Sequence, residues 1–265
     1  MTMNDAAPEQ GPHPALVVED LTVRYGPLTA LDAVSLSVDD GEIVGIIGPN
    51  GAGKSSSFAG ITNVVPRSGT VRLYGEVVDR LPTQILARRG LRRTFQQNSF
   101  YSDLTVLENA MAAFEVAHGT SLAGALVLPW RESRRRRSCR DDARQLLLDF
   151  GVDRRYHDRR PDDLPHGLQR SLSIVLSYGA GARVLLVDEP AAGVGGADMQ
   201  ALVDLLVRLR DQGLAIVLIE HHMDLVMGVV NRLTVIDRGR TIAAGAPSEV
   251  RHHPEVLAAY LGRTA

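Results

Sequence analysis

The chain has 265 residues, 45% of them apolar, and a formal charge of -2. That length supports one large domain or two small ones, and the apolar share supplies a real core. The near-neutral balance excludes an electrostatic bias of the whole chain toward nucleic acid, and the single cysteine, Cys139, excludes an internal disulfide or a multi-cysteine metal site and fits a reducing compartment.

The opening stretch MTMNDAAPEQGPHP, residues 1–14, is polar and proline-rich and lacks an apolar core. It reads as a disordered tail and not as a signal peptide. Residues 16–25, LVVEDLTVRY, and 33–38, AVSLSV, alternate with period two and predict half-buried strands. DDGE at 39–42 is a turn, and IVGII at 43–47 is a continuous apolar strand. A glycine-rich loop follows, and then KSSSFAGITNVV, a predicted helix. GTVRLYGEVV predicts a hairpin with Gly75 at its turn. From about 84 to 160 the pattern turns helical and more charged. Within it, DDARQLLLDFGV holds apolar positions at helical spacing and stops at Gly151. SLSIVLSYGAGA predicts another helix, and RVLLVDEP a buried strand that ends in acid. MQALVDLLVRLRDQG places Leu202, Leu205, Leu206 and Leu209 on one helix face and ends at Gly213. LAIVLIEHH is again a buried strand, RLTVIDRGRTIAAG a hairpin around Arg238 and Gly239, and PEVLAAYLG a terminal helix.

This order predicts an α/β fold: a core with a parallel sheet, an antiparallel β-subdomain, and a helical subdomain inserted at about 90–175; the glycine loop GPNGAGKS between strand and helix makes that core a P-loop NTPase core. The longest apolar run of the insert, LAGALVLPW, is far short of the ~20 residues a membrane helix needs. A soluble, cytoplasmic chain is expected, with any membrane link made through a partner.

Lys54 is the only lysine; the basic total of 29 is otherwise arginine. It stands in GPNGAGKS, Gly48 to Ser55, which matches G-x-x-x-x-G-K-[ST]. The motif follows a buried strand and opens a predicted helix, the context it requires. Its glycines let successive backbone amides wrap a phosphate, and the helix N-terminus adds partial positive charge. The cradle is Gly48, Pro49, Asn50, Gly51, Ala52, Gly53, Lys54, Ser55 and Ser56. Lys54 would reach the β- and γ-phosphates, and the Ser55 hydroxyl would ligate Mg²⁺. A small rotatable ammonium fits inside a tight loop where a planar guanidinium would force it open. The bland alternative is a glycine-rich turn that matches by chance.

VLLVDEP sets Asp188 and Glu189 at the end of a buried strand. Asp188 can hold Mg²⁺ through water, and Glu189 can polarise an attacking water. Two adjacent acids could instead form a solvated turn; behind a phosphate loop the catalytic reading wins. LIEHH ends the next strand, where His221 would sit beside the same γ-phosphate.

With these motifs in place, residues 15–263 resemble the ATP-binding subunits of ABC transporters. The resemblance implies that Tyr25 stacks on adenine, that Gln96 in RTFQQ senses Mg²⁺ and the membrane subunit, and that His221 is the switch histidine. GLRRTFQ, DEPAAG, LIEHHMDLVMGVVNRLTVIDRGRTIAAGAPSEV and HPEVLAAYLG are similar to the branched-chain amino-acid importer type. The helical insert at 112–140 is similar to the longer of that importer's two ATPase subunits. The implied partners are a second ABC ATPase subunit, two transmembrane permease subunits and, indirectly, an extracytoplasmic substrate-binding protein. The implied location is the cytoplasmic face of the membrane, as a peripheral subunit. The implied cofactors are ATP and Mg²⁺. Relatives also carry urea, short amides and other amino acids.

The signature loop departs from the family's LSGGQ. It reads LPHGLQR here: Leu164, Pro165, His166, Gly167, Leu168, Gln169 and Arg170. Losing the serine hydroxyl removes a hydrogen bond to a charged group, about 1.5–3 kcal/mol. Proline can still start a helix, which leaves the Gly167 amide and the helix dipole available. AAGVGGAD also has Gly195 where the family usually has Asp or Asn. The site built on Lys54 is therefore expected to work when a partner completes it, and the site completed by LPHGLQR to be weaker. A heterodimer is favoured over a homodimer. The arginine run RESRRRRSCR at 131–140 reads as a solvated helix face, with contact to anionic lipid headgroups as the alternative. Two other classes remain: a non-transport ABC ATPase, which lacks support because no second cassette or basic nucleic-acid stripe is present, and an ATP-binding subunit with weak turnover, which LPHGLQR leaves open.

Overall fold

The computed structural model describes residues 13–94, 100–118 and 129–261. Most of the 1–14 tail and Gln96 lie outside the described residues.

Two sheets organise the core. The larger has six strands: β3 (Ile43–Ile47), β6 (Leu91–Arg93), β7 (Val184–Asp188), β8 (Ala215–Ile219), β9 (Arg232–Asp237) and β10 (Arg240–Gly245). Its order is β10-β9-β3-β8-β7-β6, parallel throughout except for the antiparallel edge strand β10. Every residue of β3, β7 and β8 is buried. That is why these strands read as unbroken apolar runs: helices or a second sheet cover both faces. The second sheet is antiparallel, in the order β2-β1-β4-β5, from β1 (Leu16–Tyr25), β2 (Leu28–Val38), β4 (Arg67–Leu73) and β5 (Glu76–Val77). Tyr74 and Gly75 turn the β4–β5 hairpin with φ of 49° and 79°.

One core cluster lies between the two sheets around α1 (Lys54–Ile61), with Phe58, Ile61, Leu21 and Val23 buried. A second covers the other face of the large sheet with α6 (Ala197–Asp211) and α7 (Met223–Val229). The expected α6 stripe is present: Leu202, Leu205, Leu206 and Leu209 are its buried residues. A third cluster joins α3 (Val106–His118), α4 (Pro129–Asp149) and α5 (His166–Gly179) through Leu107, Ala143, Leu147, Leu164 and Leu172. Short helices α2 (Thr83–Arg88) and α8 (Pro247–Val250) and the terminal helix α9 (Pro254–Leu261) complete the chain. On α4, Arg136, Arg137 and Arg140 are exposed. No helix among the described residues is long and apolar enough to cross a membrane.

The fold is the expected α/β arrangement of parallel sheet, antiparallel β-layer and helical block. One element differs from expectation. Leu91–Arg93 falls in the stretch read as helical, yet it is the edge strand β6, paired with β7. The Arg183 and Val184 amides both donate to the Gly90 carbonyl at 2.9 and 3.0 Å, and the Thr94 amide donates to Leu186 at 2.9 Å. A three-residue strand carrying two arginines has no periodic signal to read. β2 also begins earlier than expected, at Leu28, because its first residues are exposed and do not alternate.

Candidate functional site

β3, β7 and β8 lie side by side and parallel, so their C-terminal ends share one rim. The glycine loop leaves β3 at this rim. Gly48, Gly51 and Gly53 have φ of 156°, 79° and 108°, and Gly53 is the N-cap of α1. Two of them also touch backbone. A Cβ on Gly48 would lie 2.0 Å from the Ile236 carbonyl oxygen, and one on Gly53 would lie 2.4 Å from that of Ala30. Only glycine fits both demands. The loop is stitched to its surroundings by Gly239 N–H to Ala52 O at 2.9 Å and Asp32 N–H to Gly239 O at 2.8 Å. The cradle is thus held between β2 and the β9–β10 turn, while Gly51 has open space where its side chain would be.

Lys54 is 7% exposed, and its ammonium donates to the Gly48 and Pro49 carbonyls at 2.8 and 3.0 Å. Burial pushes its pKa down, while the charges of Glu189 and Asp188 oppose that shift. Ser55 is exposed at the first turn of α1. A phosphate at the loop would replace the two carbonyls as the ammonium's partner, so the loop fits an anionic phosphate.

Asp188 ends β7 with its side chain 5% exposed, in an ion pair with Arg93 of β6 at 2.6 Å. Successive residues of an extended strand point to opposite faces, but Glu189 has φ of 44°, in the left-handed region, and breaks the alternation. Its amide is held by the Ile219 carbonyl at 2.9 Å. Just past β8, His221 brings Nδ1 to 3.9 Å from Glu189 Oε1. The structure therefore gathers Lys54, Asp188, Glu189 and His221 at one rim. No cluster of three or more His, Cys, Asp or Glu that could hold a metal is found among the described residues. A Mg²⁺ ion here would share its coordination with phosphate oxygens, the usual arrangement for this cation.

The other expected residues are placed differently. Tyr25, 45% exposed, ends β1 at the tip of the β1–β2 hairpin, the hairpin whose Ala30 meets Gly53. In the LPHGLQR segment, Pro165 is the N-cap of α5, and Pro165 and His166 are exposed. Leu164 is buried in the helical core, and Gln169 turns inward to donate to the Leu164 carbonyl at 2.8 Å. Gly167 packs against α6: a Cβ there would meet Asp198 Oδ2 at 2.6 Å and Asp198 Cβ at 2.7 Å. Asp198 thus sets a negative charge beside the first turn of α5.

Three residues at the rim escaped the sequence reading. Arg93 lay in a stretch with no strand signal. Glu220, fully buried, accepts the amides of Ala191, His221 and His222; an acid directly after five apolar strand residues was its visible mark. Tyr260 of α9 meets the Gly48 amide, and burial raises its pKa; its place in the terminal helix carried no signal.

Residues 31–192 match the family described as ABC transporter, and residues 240–265 match the one described as Branched-chain amino acid ATP-binding cassette transporter. The chain is 37% identical over 251 residues to the high-affinity branched-chain amino acid transport ATP-binding protein LivG of Salmonella typhimurium, covering 94% of this chain and 98% of that protein. It is 35% identical over the same shares to the corresponding protein BraF of Pseudomonas aeruginosa. Among solved structures it is similar to the ADP conformation of MJ1267, an ATP-binding cassette of an ABC transporter. The TM-score is 0.79 at 27% identity, covering 95% of this chain and 100% of that one.

Proposed function

The chain belongs to the ABC transporter family, as an ATP-binding subunit of the branched-chain amino-acid uptake type, and we propose that it hydrolyses ATP to power import of branched-chain amino acids or a related small polar substrate. The observation that carries this is the convergence of Lys54, Asp188, Glu189 and His221 at one sheet rim, in a chain whose relatives along 94% of its length are named for that transport. Residues 15–265 form one ATPase domain, with a helical subdomain at about 90–175 inserted in the catalytic core.

The loop from Gly48 to Ser56 binds the phosphates of ATP, and Tyr25 stacks on the adenine. Lys54 sheds its carbonyl partners and holds the β- and γ-phosphates. Ser55, Asp188 and Gln96 would hold Mg²⁺, which would supply charge neutralisation for the transferring phosphoryl group. Glu189 orients and polarises the attacking water, and His221 sits beside the same γ-phosphate. Gln96 and its neighbours carry the motion to a membrane subunit.

The site is completed by a second ATPase subunit, and two transmembrane permease subunits and an extracytoplasmic binding protein make up the rest of the importer. The chain works at the cytoplasmic face of the membrane as a peripheral subunit and does not bind nucleic acid. Pro165 and His166 replace the usual serine and glycine of LSGGQ, and Asp198 sets a carboxylate against Gly167. A negative charge at that helix end opposes an incoming γ-phosphate. This favours a heterodimer with unequal sites, the one finished by Leu164 to Gln169 being slower. Reconstitution with the partner ATPase, permeases and binding protein in vesicles tests the function: ATP should drive uptake of leucine, isoleucine or valine. ATP hydrolysis with no uptake of any of the three would remove the branched-chain assignment and leave the related small polar substrate. A symmetric homodimer of this chain with full ATPase activity would remove the asymmetry.

A further inference from the structure

Glu220 has no exposed surface, and no step above uses its carboxylate. Burying a carboxylate is costly unless hydrogen bonds satisfy it. Here Oε1 accepts the Ala191 amide at 2.8 Å, and Oε2 accepts the amides of His221 at 2.7 Å and His222 at 2.9 Å. Hydrogen bonds to an ionised acceptor are roughly twice as strong as neutral ones. The two oxygens therefore face two different chain segments. Ala191 belongs to the turn that follows Glu189, where the Ala192 amide returns to the Glu189 carbonyl at 3.2 Å. His221 and His222 belong to the segment between β8 and α7.

Both segments need a tether. Past Ala191 the chain runs through Gly193, Gly195 and Gly196, with φ of 75° at Gly193 and 56° at Gly196. On the other side, α7 begins at an N-cap, His222, whose side chain makes no capping bond. His221 Nδ1 stands 3.8 Å from Glu220 Oε2 and 3.9 Å from Glu189 Oε1, so the carboxylate sits at the junction of the two candidate catalytic side chains.

We propose that Glu220 is a positioning residue for ATP hydrolysis: its carboxylate clamps the Ala191 turn to the His221 segment, so that Glu189 and His221 hold one geometry against the γ-phosphate. The inference rests on the roles given to Glu189 and His221 above. Only a carboxylate serves both sides. A glutamine offers one acceptor and must turn its NH₂ toward amides on the other side. An aspartate keeps the charge but is one methylene too short to span both segments.

The test is Glu220→Gln and Glu220→Asp in the assembled transporter, with Glu189→Gln alongside. Both Glu220 variants should lose turnover by about 10²-fold, the cost of a ~1 Å misplacement. KM for ATP and the affinity for a fluorescent ATP analogue should stay near wild type, while the melting temperature falls because each variant leaves a buried amide without its acceptor. Adding His221→Ala to Glu220→Gln should cost far less than His221→Ala alone. Wild-type kcat in Glu220→Gln overturns the proposal, as does a kcat loss matched by an equal loss of nucleotide affinity. Wild-type kcat in Glu220→Asp shows that charge alone suffices and also overturns the clamp. Full activity of Glu189→Gln would remove the underlying assignment instead, so the two failures are distinguishable.

Discussion

Arg93 and Asp188 form an ion pair 95 residues apart in sequence, with Nη2 to Oδ2 at 2.6 Å across adjacent strands β6 and β7. Arg93 also lies 5.5 Å from the centre of the Phe58 ring on α1. The carboxylate expected to serve a divalent ion is thus already matched to a cation, and that cation stands one residue before Thr94, whose hydroxyl accepts the Asp188 amide at 3.4 Å. Removing one partner of a buried pair costs about 3–5 kcal/mol. With the Arg93 side chain 19% exposed, the low end applies. Arg93→Ala should lower the melting temperature of the nucleotide-free protein, and Mg²⁺ with ATP should recover more of the loss than it adds to wild type. Equal recovery in both proteins would show that the pair does not anticipate the ion.

Glu189→Gln preserves volume and removes the negative charge proposed to polarise the attacking water. Positioned acid–base groups contribute about 10²–10⁴-fold, so turnover should fall by at least the lower figure while ATP affinity is retained. Normal hydrolysis by this variant would take the catalytic role away from Glu189.

The proposed contact of Lys54 with phosphate would couple nucleotide binding to protons. Burial lowers its pKa from the usual lysine value, against the pull of Glu189 and Asp188. As pH rises, the amine of the free loop therefore loses its proton earlier than an ordinary lysine does, whereas bound phosphate favours the ammonium. ATP binding should take up protons in alkaline buffer and weaken below the usual lysine titration range. Calorimetry in buffers of different ionisation heat measures the uptake; proton release on binding would reverse the sign and refute the shift. Lys54→Arg should fail to bind ATP, because the fork does not fit a loop whose Gly48 and Gly53 already touch backbone.

Gly167 answers to packing as well as to any ligand. A methyl there would press on Asp198, including the Asp198 Cβ at 2.7 Å. Gly167→Ala should destabilise by about 1–3 kcal/mol, the usual range for overpacking. Asp198→Gly should restore part of it, and Asp198→Ala less, since it keeps the Cβ. Additive effects in a denaturation double-mutant cycle would show that the two residues do not share the contact.

The parts of the fold that were legible are those where burial repeats itself along the chain. β3, β7 and β8 announce themselves because both faces are covered, and α6 because one face is. The glycine loop was legible because its amides need a fixed spacing. β6 was not: three residues contribute no period, and its two arginines look like a surface. The acid strand could be read as a place for chemistry, but the left-handed turn at Glu189 and the inward bond of Gln169 depend on neighbours distant in sequence. Glu220 shows the same limit. An acid ending an apolar strand is visible, while the three amides that make it a clamp come together only through the pairing of β7 with β8.

The arginine bias of this chain has a practical side. With a single lysine in 265 residues, an amine-directed reagent has one side-chain target, and that target lies inside the phosphate loop with its nitrogen held by two carbonyls. Modification at Lys54, followed by mass, would report loop occupancy directly in the intact assembly, and ATP should protect it.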